Sequence, residues 1–378
     1  MQSKSISFLL TILSLTSLSG CQKRETLLLL NWGEYISDEV VSDFENEYNC
    51  DVKISIADSN ELFYSKVKGG TTVYDLVVPS DYMVEKMVDH NLLQQLDYSL
   101  LSNYSRESFL DSVIGLYDEM DSLGKEYSSY CVPYFYGTFG LMYSKRKPEL
   151  EKLVSDNSWE GYFNPEIISS SYKVGMYNVP RDAYAATMFY NHLSPNEIND
   201  ELLSLSYDTL VKRDFTSWAT DNLKKGIESG NLDLAFVYTG DFLDMAYEDC
   251  KTLDDVASLD YGIYVPDETI AFIDNLVMTK NARHKDLAYK FMDYLLEPKN
   301  AIKNASIVGY CTTLKESYQS LTTVDDNSSE EERVRAKLIS TYYPIIEGEK
   351  KYQGTLLTYF SKDELTKLTN LVNNAKVN

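Results

Sequence analysis

Four consecutive leucines, Leu27–Leu30, run straight into Asn31-Trp32-Gly33-Glu34-Tyr35. An apolar run this short cannot cross a bilayer and reads as a strand buried on both faces. The five residues after it constrain the fold further. Instead of small turn residues, two aromatic rings and a carboxylate stand just past the carboxyl end of the strand, the place where open α/β sheets hold ligands. Trp32 and Tyr35 are suited to hydrocarbon and cation–π contacts, and Glu34 to an ammonium group. An aromatic loop packed on the core is the competing reading of the same residues.

The next segments continue the alternation. Ser37 can cap a helix with Asp38 and Glu39 in its first turn and Val40, Val41, Phe44 and Tyr48 as its inward stripe. Val52, Ile54 and Ile56 alternate as a strand, and Ser59 to Lys68 reads as a helix closed by Gly69-Gly70. Tyr74-Asp75-Leu76-Val77-Val78-Pro79-Ser80 is a short buried strand ended by proline, and a helix from Asp81-Tyr82 turns Met83, Met87 and Val88 inward. This strand–helix rhythm predicts a doubly wound α/β lobe. It also puts Ser80 and Tyr82 on the same sheet edge as Trp32 and Tyr35, with an N-cap and a packing ring as their alternatives.

Tyr134 to Gly140 is an aromatic strand loosened by glycines and reads as the first crossing into a second lobe. Trp159 to Pro165 is expected to be a loop, Lys173–Tyr177 a strand, and Pro180-Arg181-Asp182 the start of a helix reaching Leu193. Asp182 suits that helix's dipole as well as a ligand. Leu234–Tyr238 is a buried strand delivering Tyr238-Thr239-Gly240-Asp241 to another edge. Ile270–Asp274 is apolar except for its last residue, which is either a cap or a charge aimed at something, and Asn275–Met278 is expected to return to the first lobe. Ala288, Phe291, Met292 and Leu295 stripe a helix stopped by Pro298; Gly309–Thr313 is a loop, and Val324–Glu332 an acidic, serine-rich link.

The chain has 378 residues, a length that suggests two domains. Its net charge of −23 would repel a phosphate backbone, so nucleic-acid binding is disfavoured and small cations are attracted. With only His90, His192 and His284, and with Cys50, Cys131, Cys250 and Cys311 far apart, a metal site or a Ser-His-Asp triad lacks material. No glycine-rich nucleotide motif is present, so no metal or cofactor is expected. Met1 to Cys21 reads as an export signal with Lys4 at its positive start, and Leu18-Ser19-Gly20-Cys21 resembles the bacterial lipobox, which would leave Cys21 lipidated. No later apolar run approaches the roughly 20 residues of a spanning helix, so the mature protein is expected to be anchored in the membrane rather than inserted. Export makes disulfides possible without specifying any.

Asn31-Trp32-Gly33-Glu34-Tyr35, Tyr74–Ser80 and Gly309-Tyr310, in this order and spacing, resemble the spermidine/putrescine-binding proteins of bacterial ABC transporters, the PotD type. The resemblance covers nearly the whole mature chain. It implies an α/β, two-lobed periplasmic-binding-protein fold of type II, a hinged clamp in which each lobe is a sheet flanked by helices. Residues 1–21 would be the signal, 22–138 with about 275–322 the first lobe, and 139–274 with about 323–378 the second. The implied cleft takes Trp32, Glu34, Tyr35, Ser80 and Tyr82 from the first lobe and Asp182, Tyr238, Phe272 and Asp274 from the second. Tyr310 and Gln353 complete it.

Three departures from the family pattern stand out. Tyr238 and Phe272 occupy positions where tryptophan is common, Val179 stands where a cleft carboxylate is usual, and Cys311 replaces a proline. One anion fewer favours a less charged ligand, so putrescine is expected to bind at least as well as spermidine. The resemblance implies a non-catalytic, monomeric, lipid-anchored receptor in the periplasm or at the cell surface, handing polyamine to the membrane permease of an ABC transporter. Two alternatives remain: the same clamp for another cationic solute, such as a basic amino acid held through Arg181, and a surface adhesion lipoprotein that uses its acidic outer face.

Overall fold

The computed structural model describes residues 24–346 and 352–377; Cys21 and the expected signal segment lie outside the described residues. Its strands are β1 (Glu25–Asn31), β2 (Cys50–Ile56), β3 (Leu76–Val77), β4 (Cys131–Ser144), β5 (Val174–Tyr177), β6 (Ser217–Ala219), β7 (Leu234–Tyr238), β8 (Tyr261–Tyr264), β9 (Ile270–Met278), β10 (Cys311–Thr312) and β11 (Thr355–Leu356). They follow the order β2-β1-β3-β9-β4-β7-β5-β6, with β8 and β10 also paired to β4 and β11 to β9. The outer parts of this path are parallel, β1 with β2 and β3, and β5 with β6 and β7. The two long central strands run antiparallel to their neighbours along it.

Leu27, Leu29 and Leu30 are essentially inaccessible, as a strand covered on both faces requires. Ile54 and Ile56 are exposed because β2 is the edge strand. The helix Asn60–Gly69 is capped by Ser59, whose side chain accepts from the Leu62 amide, and closed by Gly70 in the left-handed conformation. Ser37 stands at the N-cap of Asp38–Tyr48 without a side-chain bond, and of the expected stripe Val40 and Phe44 are buried, Val41 and Tyr48 half-buried.

Four sequence expectations change. Trp159–Phe163 is not loop: the helix Pro148–Phe163 continues past a kink at Ser158, because Trp159, Tyr162 and Phe163 all have core to enter. The helix that opens at Pro180 ends at Tyr190, ahead of His192 in the left-handed region and exposed Leu193. Ile270–Asp274 and Asn275–Met278 are one unbroken strand, β9, buried along its whole length. Within Gly309–Thr313, Cys311 and Thr312 pair with Tyr136 and Phe135 as β10. Cys50, Cys131, Cys250 and Cys311 are all buried free thiols.

The position of the site comes from β4 and β9. From Cys131 to Thr138, β4 pairs with β9; from Phe139 onward it pairs with β7 and, from Leu141, with β8. This change of partner brings the ends of β1, β3 and β7 toward the middle of β9.

Candidate functional site

Asp274 is the centre of the first half of the site. It lies within β9, opposite Phe135, and forms an isolated bridge to Ser80 at the end of the β3 segment. Ser80 Oγ donates to its Oδ1 at 2.6 Å and Tyr35 Oη to its Oδ2 at 2.6 Å. Asn60 holds Ser80 from behind, donating from Nδ2 to Ser80 Oγ at 3.0 Å and accepting the Ser80 amide at 3.0 Å. Burial pushes the Asp274 carboxyl up to about 6, against the two hydroxyl bonds that favour its ionised form. Each carboxylate oxygen accepts one hydroxyl, which leaves lone pairs for a further donor. Asp81 sits beside it, accepting from the Ile273 amide at 2.9 Å and the Tyr82 amide at 2.6 Å; burial lifts it to about 7.

A file of rings leads away from Asp274. Tyr35 meets Tyr310 at 5.0 Å between centroids, Tyr310 meets Phe272 at 6.2 Å, Phe272 meets Tyr238 at 5.3 Å, and Tyr238 meets Tyr177 at 5.4 Å. Two glycines make room for it. A Cβ at Gly137 would lie 2.7 Å from the Phe272 ring and one at Gly240 2.3 Å from the Tyr310 ring. Edge-to-face arrangements of this kind present ring faces to hydrocarbon or to a cation.

Asp182 marks the other end of the file. Pro180 starts its helix, so Asp182 stands in the first turn, 7% exposed. Among the described residues its side chain makes no hydrogen bond or ion pair. Burial pushes its carboxyl up to about 7, with Arg181 opposing and Glu61 adding to the rise. Burial raises the Tyr238 and Tyr82 hydroxyls most, and the Asp182 charge adds to both. Arg181 itself stacks on Tyr82 at 3.8 Å and on Phe360 at 5.2 Å, and donates to the Thr358 carbonyl.

Of the residues expected from the sequence, Tyr35, Ser80, Tyr82, Asp182, Tyr238, Phe272, Asp274 and Tyr310 are thus assembled. Trp32 is a support: its Nε1 donates to the Val78 carbonyl at 2.8 Å and its ring meets Phe63 edge-on. Glu34 has left-handed backbone and an exposed side chain, and is not drawn into the cluster. Gln353 spends its amide on the Val265 and Pro266 carbonyls. Sequence pattern did not single out Asn60, Asp81, Tyr177 or Asp241 as site residues. Asp241 stands only three positions past Tyr238, where the edge-strand signal already pointed; the others carry no local signal beyond a cap or a strand end.

The acids and rings gathered here can hold a cation; the class they define is a solute-binding protein. The chain belongs to the bacterial extracellular solute-binding proteins, whose family model matches residues 39–331. A putrescine/cadaverine-binding protein of Pseudomonas aeruginosa is 27% identical over 290 residues, spanning 75% of this chain and 78% of its own. The putrescine-binding periplasmic protein PotF of Escherichia coli is 29% identical over 285 residues, spanning 73% and 74%. Among solved structures, the spermidine/putrescine ABC transporter substrate-binding protein PotD of Streptococcus pneumoniae superposes with a TM-score of 0.71 at 26% identity, covering 93% of this chain and 99% of that one. The expected family and fold class therefore hold, and the chain is a receptor rather than an enzyme.

Proposed function

We propose that this protein is an extracytoplasmic polyamine receptor, binding putrescine at least as well as spermidine and delivering it to an ABC-type permease. The observation that carries this reading is the pairing of a buried carboxylate at Asp182, without a hydrogen-bond partner among the described residues, with a second buried carboxylate at Asp274, separated by a file of edge-to-face rings. A polyamine is a methylene chain with ammonium groups at intervals, and burying those groups without anions would cost several kcal/mol each. The rings pack on the methylenes, and a ring face that meets an ammonium adds about 0.5–2 kcal/mol for each cation–π contact. The names of the relatives point to the same ligands.

The partner change of β4 between Thr138 and Phe139 supports a hinge there, with residues 22–138 and about 275–322 in one lobe and 139–274 and about 323–378 in the other. Cys21, preceded by Leu18-Ser19-Gly20, is the proposed lipid attachment, and Cys21→Ser would release the protein from the membrane fraction. A basic amino acid is the weaker ligand because its carboxylate would need Arg181, which is packed between Tyr82 and Phe360.

The test is calorimetric titration of the refolded soluble chain with putrescine, cadaverine, spermidine, spermine, arginine and lysine. Micromolar or tighter polyamine binding that disappears in Asp274→Ala is expected. No polyamine binding by well-folded protein would refute the reading.

A further inference from the structure

Lys224, in the helix Asn222–Glu228, turns its ammonium toward the site. It is 12% exposed, with Nζ 3.4 Å from Asp241 Oδ1 and 3.4 Å from Asp244 Oδ2. The same Asp241 oxygen accepts the Tyr310 hydroxyl at 3.3 Å. Because the Tyr310 ring contacts both Tyr35 and Phe272, Asp241 borders the file of rings that joins Asp274 to Asp182. Burial raises the Tyr177 hydroxyl, and the charges of Asp241 and Asp182 both add to the rise. Beside Asp182, Asp274 and the amide-bound Asp81 the site therefore has a further carboxylate, and this one already holds an ammonium from its own chain.

A lysine ammonium offers what a ligand's primary amine offers: one positive charge and three donors. Burial pushes Asp241 up, to about 6, while Lys224 favours its ionised form. Burial disfavours the Lys224 ammonium, but Asp241 and Asp244 outweigh it and hold its pKa above the ordinary value. A ligand amine arriving at Asp241 would have to displace a paired cation and leave it with Asp244, whose side chain is 38% exposed.

We propose that Lys224 is a specificity-determining residue, an internal ammonium that fills the Asp241 position and leaves Asp182 and Asp274 for a ligand with two amines. This rests on the polyamine reading above. It would let the cleft discriminate against a triamine: the like charge of Lys224 opposes the third amine, a repulsive element of the kind specificity often requires.

The experiment compares putrescine and spermidine titrations of the refolded wild-type chain, Lys224→Met and Lys224→Gln, with thermal melts alongside. Both variants remove the charge, and the glutamine keeps a donor for the two carboxylates if the methionine variant does not fold. Each is expected to shift the affinity ratio toward spermidine by about tenfold, the equivalent of ~1.4 kcal/mol. Adding Asp241→Asn to either is expected to cancel the shift. A ratio that stays within twofold of wild type, or an equal change for both ligands, overturns the proposal while leaving the polyamine reading intact. Wild-type protein that binds neither amine overturns both.

Discussion

Tyr35 and Asp274 are 239 positions apart in the chain and share a 2.6 Å hydrogen bond in which the phenol donates to a buried carboxylate. The bond ties the loop after β1 to the interior of β9, and it fixes one oxygen of the acid proposed to meet the ligand. Hydrogen bonds to charged groups contribute about 1.5–3 kcal/mol. Tyr35→Phe is therefore expected to keep the fold, lower stability by ~1–2 kcal/mol and weaken polyamine binding roughly tenfold. Ser80→Ala acts on the other oxygen. Because the two hydroxyls bond the two oxygens of one carboxylate, the double variant should deviate from additivity in a calorimetric double-mutant cycle.

Above pH 7 Asp182 carries a buried charge with no hydrogen-bond partner among the described residues. Asp182→Asn should consequently raise the melting temperature of ligand-free protein at pH 8, by an amount equivalent to ~1–2 kcal/mol, and lower polyamine affinity at least tenfold. Stability and function would move in opposite directions. A variant that loses both would show that the carboxyl is structural.

The raised carboxyls give a pH dependence with a definite sign. Asp182 and Asp81 ionise near 7 in the folded protein against an ordinary 3.8, so between those values the folded state binds more protons than the unfolded state. Their contribution to stability is thus fully present below the unfolded value and is lost as pH rises toward 7. Each group contributes a slope of at most about 1.4 kcal/mol per pH unit. Ligand binding runs the other way. Protonating Asp182 and Asp274 removes the anions, so affinity should fall on acidification from pH 8 to pH 5. Denaturant melts and titrations across that range, repeated on Asp182→Asn, should show a flatter dependence in the variant for both quantities.

Gly240→Ala is expected to damage the site without touching a charge. The new Cβ would stand 2.3 Å from the Tyr310 ring, within the first turn of the helix after β7. Forcing that ring aside should cost ~1–3 kcal/mol, read in the melting temperature, and should weaken binding through loss of the Tyr35–Tyr310–Phe272 contact.

Local pattern was enough to place the main strands, and the family resemblance named the class and most of the side chains that the structure gathers around Asp274 and Asp182. Leu27–Leu30, Leu76–Val78 and Leu234–Tyr238 are apolar runs whose burial depends only on that pattern, and the aromatic and acidic residues stand at their ends because chain order puts them there. Tertiary structure decided what each acid is free to do. Asp274 is held by hydroxyls from positions 35 and 80, Asp241 by an ammonium from position 224, and Asp182 by nothing among the described residues. A carboxylate's availability depends on which donors arrive within about 3 Å, and that is a matter of strand register and helix packing across hundreds of residues. No hydrophobic period or local motif encodes it. For the same reason Glu34, within the most informative motif of the chain, faces solvent, whereas Asp241, three residues beyond the end of β7, sits against the ring file.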